Sequence, residues 1–126
     1  MTDPTPRTDL ILRVLPMPSD VNAAGDIFGG YVLSQMDIAG GIVSAERAGG
    51  RVTTVAIDAM KFIRPVKVGD VLCIYGHVAR VGTTSLTVSL EAWALRHGTS
   101  ERRKVTEGNF VYVALDGEGR KRPVDG

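Results

Sequence analysis

Gly30-Tyr31-Val32-Leu33-Ser34-Gln35-Met36-Asp37-Ile38-Ala39-Gly40-Gly41-Ile42-Val43-Ser44-Ala45-Glu46-Arg47-Ala48 contains no proline, and Gly49-Gly50 follows it directly. Val32, Leu33, Met36, Ile42, Val43 and Ala45 recur at three- and four-residue steps, so the spacing predicts one long helix that the two glycines stop. Tyr31, Ile38 and Ile42 place apolar side chains where a surface helix would be polar, and a helix of that kind is expected to be wrapped by other structure. Asp37 is the one charge in its middle, with Leu33, Ser34, Gly40 and Gly41 one turn away. A glycine inside a helix costs about 0.5–1 kcal/mol against alanine, so Gly40 and Gly41 call for close approach of a strand or a ligand. A carboxylate taken out of water is costly unless paired, and such a setting makes a general base or nucleophile. The plainer reading of Asp37 is a solvated or arginine-paired side chain.

Outward from the helix the chain reads as strands. Leu10 to Val14 alternates as a short strand ended by Pro16, and Met17 to Asp26 is a loop dense in Asp, Asn and Gly. In that loop Asp26 reads as the helix N-cap, and Asn22 as a turn residue or as an amide aimed at the same cleft as Asp37. Beyond the helix four strands are predicted, at Arg51–Ile63, Val71–Arg80, Ser85–Arg96 and Lys104–Leu115. Their short connections imply antiparallel pairing. Leu86, Val88, Leu90, Ala92 and Ala94, with Leu72, Ile74 and Val78, form the predicted core faces. The opposite faces also carry apolar residues, including Trp93 and Leu95, so a second copy of the chain is expected to cover the sheet. Residues 1–7 read as a disordered tail, 8–119 as a single domain and 120–126 as a basic C-terminal tail.

Composition narrows the function. The 126 residues carry 15 lysines and arginines against 14 acids, a net charge of +1 with few aromatics, which argues against nucleic acid as a partner. Cys73 is the one cysteine and there are two histidines, so neither a disulfide framework nor a metal site is expected. The first ten residues lack an apolar core and no stretch approaches the roughly 18 apolar residues of a membrane span. A cytoplasmic protein with no membrane partner and no cleaved signal is the expectation.

A helix wrapped by about five antiparallel strands is the hotdog architecture, an α+β fold. Met17-Pro18-Ser19-Asp20-Val21-Asn22-Ala23-Ala24-Gly25-Asp26-Ile27-Phe28-Gly29-Gly30, Ser34-Gln35-Met36-Asp37 and Phe62-Ile63-Arg64-Pro65-Val66-Lys67-Val68-Gly69-Asp70 resemble the YciA-type acyl-CoA thioesterases over about Leu10 to Gly119. The hairpin around Arg96 to Arg103 is shorter than that family suggests. The resemblance implies hydrolysis of acyl-CoA to acid and coenzyme A, without a further cofactor, by dimers that assemble into hexamers with the site at the subunit interface. It places the catalytic acid/base or nucleophile at Asp37 and the loop asparagine, from the opposite subunit, at Asn22. The carbonyl oxygen would sit at the helix start, on the N–H groups near Gly29 and Gly30. Coenzyme A phosphates want cationic or backbone donors, for which Arg64, Lys67 and the turn Gly82-Thr83-Thr84-Ser85 are the candidates. Arg64 could instead pair with Asp58 or Asp70, and the turn could be only a hairpin.

Two other readings compete. Hotdog hydratases work with a histidine and an acid, but His77 and His97 lie far in sequence from the helix motif. A non-catalytic acyl-CoA sensor would explain a cleft and an oligomer, though not a carboxylate near a phosphate-rich ligand.

Overall fold

The structure, a computed structural model, describes residues 5–96 and 98–126. His97 therefore lies outside the described residues. The helix, α1, spans Gly29–Ala48 and ends where Gly49 enters the left-handed region at φ 71°. The N–H groups of Gly49 and Gly50 return to the Ala45 carbonyl at 2.9 and 3.2 Å and close its last turn. The strands are β1 Asp9–Val14, β2 Val52–Ile57, β3 Val71–Val81, β4 Ser85–Leu95 and β5 Arg102–Ala114. They form one antiparallel sheet in the order β1-β3-β4-β5-β2, so the long β3–β4–β5 meander is central and the two short strands are its edges. A single helix against such a sheet is the hotdog arrangement.

The core follows the alternation. Val32, Met36 and Ala39 of α1 are buried against Leu72, Ile74, Val88, Leu90, Ala92, Ala94, Phe110 and Tyr112 on the inner sheet face. Leu86 joins Ala48, Ala114 and Val124 in a second cluster at the helix C-terminus. Val78 is only partly buried, packed beside both clusters.

Several expectations need correction. The sheet embraces one side of α1 and leaves Ile38 and Ile42 about half exposed, at 50% and 49%, so within one chain the helix is not wrapped on every side. β2 stops at Ile57, not Ile63. Residues 58–63 still run beside β5 but outside a regular ladder, with Asp58 N–H on the Asn109 carbonyl at 3.0 Å and Ile63 N–H on that of Val105 at 2.7 Å. Met60 occupies the space over Gly108, where a Cβ would stand 2.7 Å from its Cγ. That side chain crosses β5 at the position where a residue larger than glycine would have blocked it.

The outer face is partly covered by the chain itself. Cys73, Tyr75 and Trp93 form a buried cluster with Val71 and Leu95 packed around it. Arg7, expected in a disordered tail, donates its N–H to Glu91 Oε2 at 3.2 Å and its Nε to the same oxygen at 3.4 Å. Residues 120–126 are likewise packed against the domain and do not trail from it. Val124 is buried, its N–H on the Thr83 carbonyl at 2.9 Å, and Leu115 bridges to Lys121. Among the described residues no helix is long and apolar enough to cross a membrane.

Candidate active site

The loop before α1 is built around Asn22. Its Oδ1 accepts the N–H groups of Ala24 at 2.9 Å and Asp26 at 3.1 Å, while its own N–H reaches the Asp26 carbonyl at 2.7 Å. Gly25, at φ 88°, supplies the left-handed residue that this tight loop requires. With Oδ1 engaged, the amide has only its Nδ2 donors to offer a ligand.

Asp26 is not the helix cap. The N-cap is Phe28, which makes no side-chain cap, and Asp26 forms an ion pair with Lys67 Nζ, the two residues also joined by an isolated β-bridge. The helix start therefore keeps uncapped N–H groups at Gly29 and Gly30. A Cβ on Gly30 would meet nothing within 4 Å, whereas one on Gly29 would stand 3.4 Å from the Phe62 ring, which covers that side.

Between the helix start and the segment 62–66 lies a cleft of about 260 Å³, where Asn22, Gly29 and Arg64 meet the apolar Val32, Phe62 and Val66. Arg64 Nη1 donates to the Lys104 carbonyl at 3.0 Å. Asp70, buried, accepts the Lys67 N–H at 2.9 Å and faces Arg96 Nε at 3.5 Å. Lys67 thus borders the cleft through Asp26 without lining it.

Asp37 lies elsewhere. It follows Gly29 by two turns of helix, about 12 Å of rise, and does not line this cleft. Its Oδ1 accepts the Thr54 hydroxyl at 2.6 Å and lies 2.9 Å from the Tyr112 hydroxyl, which is also 3.0 Å from the Asp37 carbonyl. Burial pushes the Tyr112 phenol well above its ordinary value, and its hydrogen bond to Asp37 pushes it further. Gly40 is what admits this tyrosine, since a Cβ there would stand 2.8 Å from Tyr112 Cζ. Gly41 faces open space.

The remaining candidates are at the other end. The turn Gly82-Thr83-Thr84-Ser85 is closed by the Gly82 N–H on the Ser85 carbonyl at 2.8 Å, and the Thr84 carbonyl accepts the Ala114 N–H at 2.9 Å. It adjoins the cluster at the helix C-terminus, so about 30 Å of helix separates it from the cleft within one chain. His77 is an exposed residue of β3.

Thr54 and Tyr112 were not singled out by the sequence. They read as one β-branched and one aromatic strand residue, and only the register that sets them opposite each other beside Asp37 reveals them. Gly40 was the available signal, because it asked for something to approach closely.

Residues 24–101 match the model of the thioesterase superfamily. The chain is 49% identical over 125 residues to the acyl-CoA thioester hydrolase YciA of Salmonella typhimurium, covering 97% of this chain and 94% of that one. Among solved structures it superposes on HI0827, a hexameric broad-specificity acyl-coenzyme A thioesterase, with a TM-score of 0.92 at 45% identity over 100% of this chain and 89% of that one. An aspartate-to-alanine mutant of the same enzyme has also been solved. The hexameric thioesterase y2039 of Yersinia pestis gives a TM-score of 0.91 at 46% identity, covering 97% and 99% of the two chains. By sequence over nearly its whole length and by fold, the chain belongs to the YciA-type acyl-CoA thioester hydrolases, within the thioesterase superfamily.

Proposed function

We propose that the chain hydrolyses acyl-CoA thioesters to a free acid and coenzyme A, with Asp37 supplying the carboxylate that activates water. The observation that carries this is a helix carboxylate held through one oxygen by Thr54 and Tyr112, with no hydrogen bond to Oδ2 among the described residues. A carboxylate with one fixed and one unengaged oxygen is ready to take a proton from water or to attack a carbonyl carbon. The solved aspartate-to-alanine mutant of HI0827 supports assigning the chemistry to an aspartate.

Thioester hydrolysis also builds negative charge on the carbonyl oxygen. The uncapped N–H groups of Gly29 and Gly30, at the positive end of α1, suit that oxygen, and the Nδ2 donors of Asn22 suit it or the attacking water. Asn22 lines the cleft at the helix start and Asp37 does not, so the proposed complete site joins Asn22 of one subunit to Asp37 of another. The exposed apolar set favours such an assembly: Ile38 and Ile42 on α1, with Val55 and Ile57 on the edge strand β2 at 53% and 41% exposure. Hexamers of HI0827 and y2039 make a trimer of dimers the proposed state, and the cytoplasm is the proposed compartment. Arg64 and Lys67 hold the nucleotide end of coenzyme A. The hydroxyls of Gly82-Thr83-Thr84-Ser85 serve only a ligand bound between subunits.

The test is thiol release from acyl-CoAs of increasing chain length by wild type and by folded Asp37→Ala. Release by the wild type that falls at least about 100-fold in the variant supports the reading. Ligand binding without release at any length would leave a sensor, and hydration of an enoyl-CoA without thiol release would indicate a hydratase.

A further inference from the structure

Gly108 lies within β5, and Met60 covers it. A glycine inside a strand has no side chain to pack and marks the close approach of another group. A Cβ there would stand 2.7 Å from Met60 Cγ and 3.1 Å from its Sδ. Leu90, opposite Gly108 on β4, is a fully buried core residue, so Met60 crosses to the face of the sheet that carries α1. The cause is an extra residue. The Asp58 N–H bonds the Asn109 carbonyl and the Ile63 N–H that of Val105, so five steps along this segment match four along β5. An extra residue of this kind re-aims a side chain. The Lys61 carbonyl accepts the hydroxyl of buried Thr106 at 2.8 Å and pins the segment there.

The inward-facing residues of β5 then form a line. Tyr112, Phe110 and Gly108 are met in turn by Thr54, Ile57 and Met60, the first two through the strand register and the third through contact. Thr54 bonds Asp37 at one end and Met60 closes the other. The four residues of antiparallel strand from Tyr112 to Gly108 span about 14 Å. Ile57 stays 41% exposed opposite a fully buried Phe110, so α1 leaves this part of the edge strand open. An apolar run therefore starts at the carboxylate, passes over Ile57 and stops at a methionine. Phe62, two residues on, lines the cleft at the helix start, and Met60 does not.

On the acyl-CoA hydrolase reading above, we propose that this run takes the acyl chain of the substrate that reacts at Asp37, and that Met60 is the specificity-determining residue at its end. The sulfur arm and the acyl chain leave the carbonyl carbon in different directions. Asn22, Gly29 and Arg64 give the cleft donors that suit the amides and phosphates of the coenzyme A arm. Ile57 and Met60 present only hydrocarbon and a thioether, against which an alkyl chain leaves no polar group unpaired. A methionine is unbranched and adapts its shape, so the limit it sets is graded.

The experiment measures kcat/KM for saturated acyl-CoAs from butyryl to palmitoyl. Wild type, Met60→Ala, Met60→Leu, Met60→Phe and Asp37→Ala are compared as full-length proteins. The wild-type profile is expected to decline beyond a limiting length. The ratio of kcat/KM just beyond that length to kcat/KM for butyryl-CoA is expected to rise about 10-fold in Met60→Ala and to fall about 10-fold in Met60→Phe. Met60→Leu keeps the ratio near wild type. A purely structural role for Met60 would change all lengths together and leave the ratio unmoved. Folded variants with the wild-type profile overturn the proposal, as does a wild type whose kcat/KM does not decline up to palmitoyl-CoA. Should Met60→Ala not fold, Met60→Phe decides it in the opposite direction. Asp37→Ala keeps the two layers apart. If the wild type releases no thiol, or release persists in Asp37→Ala, the reading of Asp37 as the catalytic carboxylate fails and the proposal with it. If release depends on Asp37 while the length profile ignores Met60, only the role of Met60 fails.

Discussion

Gly40 and Gly41 are adjacent and chemically identical, and the fold uses them differently. At Gly40 the ring of Tyr112 stands where a side chain would begin; at Gly41 nothing lies within 4 Å. Gly40→Ala gains helix propensity but forces the tyrosine away from Asp37, and overpacking of a tight site costs about 1–3 kcal/mol. It is expected to lower both the melting temperature and kcat. Gly41→Ala meets no such obstacle within the chain and is expected to leave the fold intact, as parallel thermal melts would read. Both glycines were visible in the sequence as costly residues needing a reason. That the reason at Gly40 was a tyrosine more than seventy positions away could not be read there, since it depends on the register between β2, β5 and the helix.

At the scale of elements, Arg7 and the C-terminal segment hold the outer sheet face and the helix. Arg122 donates to three carbonyls: Ala48 at 2.8 Å, Leu115 at 3.1 Å and Pro123 at 3.0 Å. The first is one of the carbonyls that a helix end leaves without an internal partner, so Arg122 ties the C-terminal segment to α1. Charge-assisted bonds of this kind contribute about 1.5–3 kcal/mol, and Arg122→Ala is expected to lose roughly that much in urea unfolding. On the outer face Glu91, 3% exposed, meets Arg7 and Lys104 at 3.4 Å each. Burial alone would raise its carboxyl, but the Arg7 N–H together with the Lys104 and Arg7 cations outweighs it and holds Glu91 below its ordinary value of 4.5. A folded-state value below the unfolded one means that ionised Glu91 stabilises the fold above that value. The contribution is lost as the pH falls through it. Glu91→Gln is therefore expected to be less stable near neutrality and to lose stability less steeply between about pH 5 and 3, read by denaturant unfolding across that range. The basic run in 120–126 reads as a tail because local sequence does not record what an arginine will cap.

At the scale of the whole molecule, one chain has half of each proposed site. Asn22 and the helix start belong to the cleft, while Asp37 faces Thr54 and Tyr112 two helical turns away. Coexpression of Asn22→Ala with Asp37→Ala tests the sharing directly: random pairing makes half of the dimers mixed, each with one intact site, and restores about a quarter of wild-type thiol release. No recovery would mean that both residues serve one chain's site. The sequence by itself determined the helix to within a residue, the five strands in order, the inward-facing core residues and the motifs that mark the family. These are carried by periodicities of 3.6 and 2, by glycine stops and by contiguous motifs, all of which are local in the chain. Tertiary structure alone decided where β2 leaves its ladder, how Arg7 and the C-terminal segment pack and which hydroxyls hold Asp37. Each of those depends on pairing register and on contacts between residues far apart in sequence, where shape and bond geometry choose among partners that look equivalent along the chain.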